Sequence, residues 1–492
     1  MTVTFIGLIM AAIGLLLLIR GSLAAMLAFL MLAGMMGGSA AIILSAIGGS
    51  SIPPGQFALA FIWLRMVIPG SRFLDSLGPA FRENFWLIVF VLYGVAIAYV
   101  APRLFAGQIN VTPLRFEGAG GGLFDTAPLM PTSQNMTASV YLIGALLTAV
   151  ATYVACLYRG GANTLVKTAV VIAWVHSLTG VLGAVGRGTP IDTVFELMRN
   201  ANYTQHSQAY EGFIRINGIF PEPSSWAAFA FSWFVFLAEC WYRSVEPRAT
   251  GRAALLLAVV MFFSTSSSAY VGLGGYALFF AVRMVFFPSL ASHSRMKEAA
   301  IIGLAGAVLT AILLAALPAF TEAIGKMIDD MLFAKADSES GRQRLFWALQ
   351  GWDSFVVSWG LGIGPGSFRS SSLATAILGS SGIIGVVSFV AYLLTVFEPR
   401  RGSSWGATGS VAARLGGAAA TAAVVSQIPA LVAAASPVPT SEFAILAGAA
   451  LALRRVRQPA AQTGEAEEAA VPDIEIEEPA PLRRGWRVRE GS

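Results

Sequence analysis

The sequence predicts an all-α polytopic membrane protein with about 12–13 transmembrane helices. Two observations carry that expectation. Of 492 residues, 56% are hydrophobic and only 12% charged, a composition that cannot fold around one soluble core. The apolar residues also fall into runs of roughly 20, the length that crosses a bilayer core, divided by short polar turns.

Taken in order, the first helix covers Val3 to Ile19 and the second Leu23 to Ile47. The first has no charged start and no small-residue cleavage site, and the second follows at once, so no removable signal peptide is expected. A short third segment, Phe57 to Ile68, contains Arg65. A charge at a helix centre costs about 2.5–3.5 kcal/mol on insertion scales, so either Arg65 faces protein or the segment is re-entrant. Further helices are expected at Phe85 to Val100, Val140 to Tyr158, Leu165 to Leu182, Ser224 to Trp241 and Ala253 to Phe263. The last ones fall at Ala269 to Phe287, Ala299 to Leu317, Leu373 to Phe397, Val411 to Val432 and Phe443 to Leu453.

Short loops that keep Lys and Arg lie on the cytoplasmic side. Counting helices puts the loops of Arg72 and Arg82, of Arg159, of Arg243, Arg248 and Arg252, of Arg295 and Lys297, and of Arg400 and Arg401 on that face. The tail beginning Arg454-Arg455-Val456-Arg457 joins them. The N-terminus lies outside if the short segment spans and inside if it does not. Three longer loops, about residues 102–139, 183–223 and 319–372, then lie outside. Residues 1–457 form the membrane domain, and 458–492, rich in Ala, Glu and Pro, read as a disordered cytoplasmic tail. Cys156 and Cys240 fall near cytoplasmic helix ends and read as packing residues rather than a disulfide framework or metal cluster. No repeat of halves is visible, which disfavours a transporter built from inverted repeats.

The outer loops hold the candidate chemistry. Loop 183–223 collects Arg187, Arg199, His206, Glu211, Arg215 and Glu222. Arg199, His206 and Glu211 read equally well as a solvated loop face. Arg215 and Glu222 flank Asn217-Gly218 and Pro221 to Pro223, restricted backbones that make a tight turn into the next helix. Ser224 is placed to cap that helix, whose first amides face anions. Loop 319–372 reads as two amphipathic helices lying over the bundle. Ile324, Ile328, Met331 and Leu332 mark one; Leu345, Leu349 and Trp352 mark the other, after a capping box at Ser340 to Gln343. Arg342 and Arg344 point to different sides of the second helix, so one can enter a site easily, while rim charges would hold lipid phosphates. Gly362, Gly364 and Gly366 leave successive amides uncovered for phosphate or sugar oxygens, or simply make a tight turn. The run Ser264 to Ser268 lines a polar cavity or turns between two helices. Lys167 and His176 read as structural or interfacial.

The series Arg215-x-x-Gly218-x-Phe220-x-Glu222-Pro223-Ser224, then Ser264-Thr265-Ser266, then Arg342 to Trp347, followed by Gly362-x-Gly364-Pro365-Gly366-Ser367-Phe368 and Gly382-Ile383-Ile384-Gly385, resembles the O-antigen polymerase and ligase superfamily. Order and topology match over roughly Leu165 to Phe397. The resemblance implies a GT-C-like, metal-independent membrane glycosyltransferase without a cofactor, working on the periplasmic face of a bacterial inner membrane. Such proteins move a glycan from an undecaprenyl diphosphate carrier to an acceptor sugar. In Wzy-type polymerases the acceptor is another lipid-linked repeat unit; in ligases it is lipid A core. The diphosphate-binding role of the family arginines carries over to Arg215 and to Arg342 or Arg344. Family ligases commonly have a His soon after the glycine turn, where this chain has Arg369-Ser370-Ser371-Ser372, so Arg369 offers a further phosphate contact. Many members have an acid before the second glycine turn, where this chain has Ser380 and Ser381.

The chemistry is physically coherent. A diphosphate leaving group gains negative charge as the glycosidic bond breaks, and fixed guanidiniums stabilise it without a metal. The acceptor hydroxyl must lose its proton, for which Glu222 is the first candidate base and Asp353 the second. Ser224, Ser264, Ser266, Gly364 and Gly366 complete the expected substrate cavity. The expected activity is an exopolysaccharide or O-antigen polymerase. A ligase to lipid A core or protein is the second reading, and a lipid-linked sugar transporter or flippase the third. A flippase should carry cations through the middle of the bundle, whereas this chain concentrates them in outer loops. The expected partners are an undecaprenyl-diphosphate-linked oligosaccharide, membrane lipids and, where chain length is regulated, a co-polymerase. Nucleic acid is not among them.

Overall fold

A computed structural model of the chain describes residues 1–44, 50–114, 124–201, 209–210, 213–290, 292–316 and 339–455. The backbone clusters into two units, residues 1–459 and 460–492, and the second, with the expected tail, lies outside the described residues. In chain order the helices are α1 Phe5–Arg20, α2 Leu23–Ala33, α3 Pro54–Val67, α4 Leu77–Glu83, α5 Phe85–Leu104, α6 Ser133–Leu157, α7 Gly161–Val185, α8 Pro190–Met198 and α9 Pro223–Tyr242. They continue as α10 Pro247–Phe263, α11 Ser267–Phe286, α12 His293–Ala316, α13 Glu339–Val357, α14 Leu373–Phe397, α15 Gly402–Trp405, α16 Val411–Val425, α17 Gln427–Ala433 and α18 Ser441–Arg455. Among the described residues, α5, α6, α7, α11, α14 and the run Val411–Ala433 are six helices long and apolar enough to cross a membrane, and α1 and α2 are shorter apolar ones. The chain is an α-helical multi-pass membrane protein.

Local chemistry sets many helix ends. Thr4 and Ser22 cap α1 and α2 by accepting from the amides of Gly7 and Ala25 at 3.0 and 3.1 Å. Proline opens α3, α8, α9 and α10, where its missing N–H costs nothing. Apolarity alone overstates three helices. The second was expected to run to Ile47 but stops at Ala33, because the chain must turn flat against the 219–220 loop. A Cβ on Gly37 would sit 2.5 Å from the Phe220 ring, and one on Gly38 2.4 Å from the Ile219 carbonyl. The chain then makes two short strands, Ile42–Leu44 and Ser50–Ile52, that pair antiparallel, with Thr2–Val3 on the other edge. The expected Val411 to Val432 helix breaks at Ser426 into α16 and α17. Helix α14 is interrupted at Gly382, whose φ of 56° and ψ of −155° leave the helical region.

The core forms around α9, α6 and α18. Helix α9 is apolar nearly all round and buries Trp226, Phe231, Trp233 and Phe236, as a central helix must. Helix α18 does the opposite with small residues: Ala444, Ala447, Ala449, Ala450 and Ala452 are buried, and a Cβ on Gly448 would lie 2.2 Å from the Ala149 carbonyl of α6. His176 stacks on Trp226 with centroids 4.7 Å apart, and its Nε2 lies 3.2 Å from the Trp226 carbonyl oxygen, so it is a packing histidine. Cys156 and Cys240 are buried and free.

Several of the loops that sequence counting assigned to one face do meet at one end. Tyr158 donates to the Arg72 carbonyl at 2.6 Å, and Arg454 bridges Glu83 and Glu398, each at 2.8 Å. Arg401 also pairs with Glu398, and Arg295 lies 3.4 Å from the Ser244 hydroxyl. Arg243, counted in sequence among the loop cations of that face, is fully buried. Its guanidinium donates to Glu239 at 3.1 Å and to the carbonyls of Ser403, Ser404 and Gly406. Glu239 also accepts from Arg283 and Tyr276, each at 2.8 Å. This network closes the end of the bundle opposite the start of α9.

Helix α13 corrects a second expectation. The stripe Leu345, Leu349 and Trp352 does not cover the bundle; these side chains are 61%, 52% and 53% exposed. Gln343, Trp347, Gln350 and Ser354 face inward, and Gln350 exchanges hydrogen bonds with Thr112 at 2.9 and 3.0 Å. Gln350 and Ser354 find protein partners on the inward side, while the apolar side is left for the surroundings. Ser340 lies inside α13 rather than at its cap. The other amphipathic helix, at Ile324 to Leu332, lies outside the described residues.

Candidate functional site

The candidate residues gather where α9 and α14 begin. Backbone geometry builds the entry to α9. The Asn217 carbonyl accepts from the Phe220 amide at 2.8 Å, closing a turn around Gly218, whose φ is 50°. There a Cβ would lie 3.3 Å from the Gly180 backbone of α7, so the loop rests directly on that helix. Glu222, not Ser224, occupies the cap position, extended at φ −152° and ψ 158° ahead of Pro223. Ser224 turns its hydroxyl back on Glu222 instead, donating at 2.6 Å, and Ser225 donates to the same oxygen at 3.2 Å. A competing acceptor two residues away has taken the group expected to cap. The carboxylate is thereby oriented by two hydroxyls.

Arg215 reaches the turn between α10 and α11, donating to the Thr265 carbonyl at 3.4 Å. That contact joins two sequence motifs fifty residues apart. The 264–266 run is a turn: Ser264 donates to the Met261 carbonyl at 2.7 Å and Thr265 has a φ of 52°. Ser266 is buried, and its hydroxyl makes no hydrogen bond among the described residues.

Arg369 sits in the loop before α14. Its amide donates to the Thr112 carbonyl at 2.8 Å, and its guanidinium lies over Trp347 of α13, 4.4 Å from the ring centre. Burial pushes the guanidinium below the ordinary arginine range; the Glu222 carboxylate opposes that shift and Arg344 adds to it. Glu222, Arg344 and Arg369 therefore share one electrostatic neighbourhood. Arg344 also donates to the Val432 carbonyl at 3.3 Å, while its own carbonyl accepts from Ser371. Arg369 makes no side-chain hydrogen bond among the described residues, and its Nε is buried without one. A partly buried guanidinium with unused donors, set over an indole beside a second cation, has the chemistry to receive an anion.

The remaining expectations fare differently. Arg342 and Asp353 are exposed on the outward side of α13, away from this cluster. Of the two neighbouring arginines, Arg344 is the one brought to Glu222 and Arg369. Gly364 and Gly366 serve packing. Cβ atoms there would lie 2.8 Å from the Ile97 carbonyl and 2.3 Å from the Gln134 carbonyl. The amides of Gly362, Ile363 and Gly364 already donate to Ser358, Gly379 and Ser380. Asn135 of α6 fixes the same turn through the Pro365 carbonyl and the Ser367 hydroxyl, both at 2.9 Å. Arg199, read as solvated, is buried and pairs with Asp192 at 3.5 Å, anchoring α8. His206 and Glu211 lie outside the described residues. Sequence reasoning missed Trp347 as the platform under Arg369; no local spacing links the two. Among the described residues no group of His, Cys, Asp and Glu is arranged to hold a metal ion. The chain matches no family model, and no curated protein matches it.

Proposed function

We propose that this protein is a metal-independent membrane glycosyltransferase that joins lipid-linked oligosaccharide repeat units, with the donor diphosphate held by Arg369, Arg344 and Arg215. The observation that carries this reading is the partly buried Arg369 guanidinium, without hydrogen-bond partners among the described residues and stacked on Trp347 beside Arg344. The order of motifs that resembles the O-antigen polymerase and ligase superfamily supports it. So does the position of the cluster at the ends of helices rather than midway through the bundle, since a transport path would need cations along its length.

In the proposed reaction the acceptor hydroxyl oxygen attacks the anomeric carbon of the donor sugar. The bond from that carbon to the diphosphate oxygen breaks, and its electron pair leaves on the diphosphate. Guanidiniums placed before the reaction begins stabilise that charge without reorganising. Glu222 takes the hydroxyl proton; the two serine hydroxyls that hold its carboxylate fix its direction.

Purified protein in lipid nanodiscs, given undecaprenyl-diphosphate-linked repeat units alone, should produce a ladder of polymer lengths on a gel. The ladder should vanish in Arg369→Ala and Arg215→Ala. Transfer that appears only when lipid A core or protein acceptor is added would replace the polymerase reading by a ligase. No transfer to any of these acceptors would overturn the reading.

A further inference from the structure

A cavity of about 480 Å³ opens at the same end of the bundle. Its walls come from the end of α2, from the beginnings of α3, α9 and α18, and from α6 between Gln134 and Thr148. That volume falls within the roughly 300–1,000 Å³ of sites that enclose small ligands. The cavity touches the candidate transfer site through shared elements. Phe220, two residues before Glu222, forms part of its wall, and Gln134 lines it directly beside the Gly366 turn.

Its lining has a definite chemistry. Gln56, Gln134 and Thr148 face it, and none of their side chains makes a hydrogen bond among the described residues. Thr148 is the sharpest case. It is only 4% exposed, yet its hydroxyl does not bond back to its own helix as buried threonines commonly do. Glu442 supplies a carboxylate, held by the Thr440 hydroxyl, and Phe220 and Phe229 supply ring surface. No Lys or Arg lines the cavity among the described residues. Amides, hydroxyls and one carboxylate around aromatic rings fit a ligand that presents many hydroxyls on an apolar ring face. A phosphate or an acidic sugar would find no cation there to balance its charge.

We infer that this cavity binds a neutral saccharide through Gln56, Gln134, Thr148 and Glu442, separately from the anion held by Arg369 and Arg344. The charged and uncharged parts of a glycosyl substrate are thus sorted into adjoining compartments. Assigning that sugar to the acceptor glycan rests on the transferase reading above; saccharide binding itself does not.

The test is saturation-transfer NMR on the full chain in nanodiscs. The probes are methyl glycosides of glucose, galactose, mannose and N-acetylglucosamine, with glucuronate as the acidic counterpart. At least one neutral glycoside should receive saturation, and glucuronate should not. Thr148→Leu, which fills the cavity from its wall, should abolish the signal. Glu442→Gln, which keeps shape but exchanges a carboxyl oxygen for an amide, should weaken binding about 10-fold. Both variants should still bind inorganic pyrophosphate as the parent does, which reports an intact fold, while Arg369→Ala should lose pyrophosphate and keep the glycoside. The inference fails if no neutral glycoside is saturated, if only glucuronate is, or if the signal survives Thr148→Leu. Glycoside binding combined with no transfer in the polymer assay would sink the transferase reading alone.

Discussion

At the scale of single residues, the proposed diphosphate site turns on Arg369 and the Trp347 ring beneath it. Arg369→Lys keeps one positive charge but loses the planar fork and the stacking on the indole. It should bind pyrophosphate at least 10-fold more weakly than the parent in calorimetry, and Arg369→Ala should not bind it measurably. Arg215→Lys should lose polymer product just as Arg215→Ala does; full activity in the lysine variant would reduce Arg215 to a point charge. Glu222→Gln should lower kcat by about 10²–10⁴ with little change in donor KM, the split expected of a base rather than a binding group. Arg215 and Glu222 were legible in sequence because Gly and Pro restrict the backbone between them. Arg369 was legible only as a further phosphate contact standing where the ligases this chain resembles have a His. Its importance depends on Trp347 and Glu222, which the fold, not the spacing, brings to it.

At the scale of elements, hydropathy located the helices well and their interruptions poorly. An apolar run looks the same whether it continues as a helix or turns flat against a neighbour, which is why the segment after Ala33 escaped notice and why hydropathy ran one helix through Gly382 although its motif reads as a glycine turn. Gly382 is a direct test of that lesson. A Cβ there would lie 2.0 Å from the Gly360 carbonyl at a φ of 56°, so Gly382→Ala must strain both the backbone and the contact. It should lower stability by about 1–3 kcal/mol from the backbone alone, read as a lower thermal unfolding midpoint in nanodiscs. Helix α13 shows the second limit. Periodicity identified an apolar stripe but could not say which way it faced, since in a membrane protein an apolar side turns outward as readily as inward.

At the scale of the whole molecule, α9 joins two charge systems. Glu222 stands at its start and Glu239 about 26 Å further along, at 1.5 Å per residue. Removing the second carboxylate leaves Arg243 and Arg283 buried without their shared partner. Glu239→Ala should therefore cost about 3–5 kcal/mol of stability. Pyrophosphate binding by the protein that remains folded should be unchanged, because the site lies at the other end. The spacing of Glu239 and Arg243 on one helix face could have revealed that network in sequence; the carbonyls of 403–406 that complete it could not. The outward face of α13 has one more consequence. The helix that carries Arg344 and the indole beneath Arg369 turns Leu345, Leu349 and Trp352 toward whatever solvates the protein. An apolar contact made on that face would bear on Arg344 and Trp347 through a single helix. Under the proposed transferase reading, exchanging long-chain for short-chain lipids should change turnover, with the surroundings of α13 tuning the site as well as containing it.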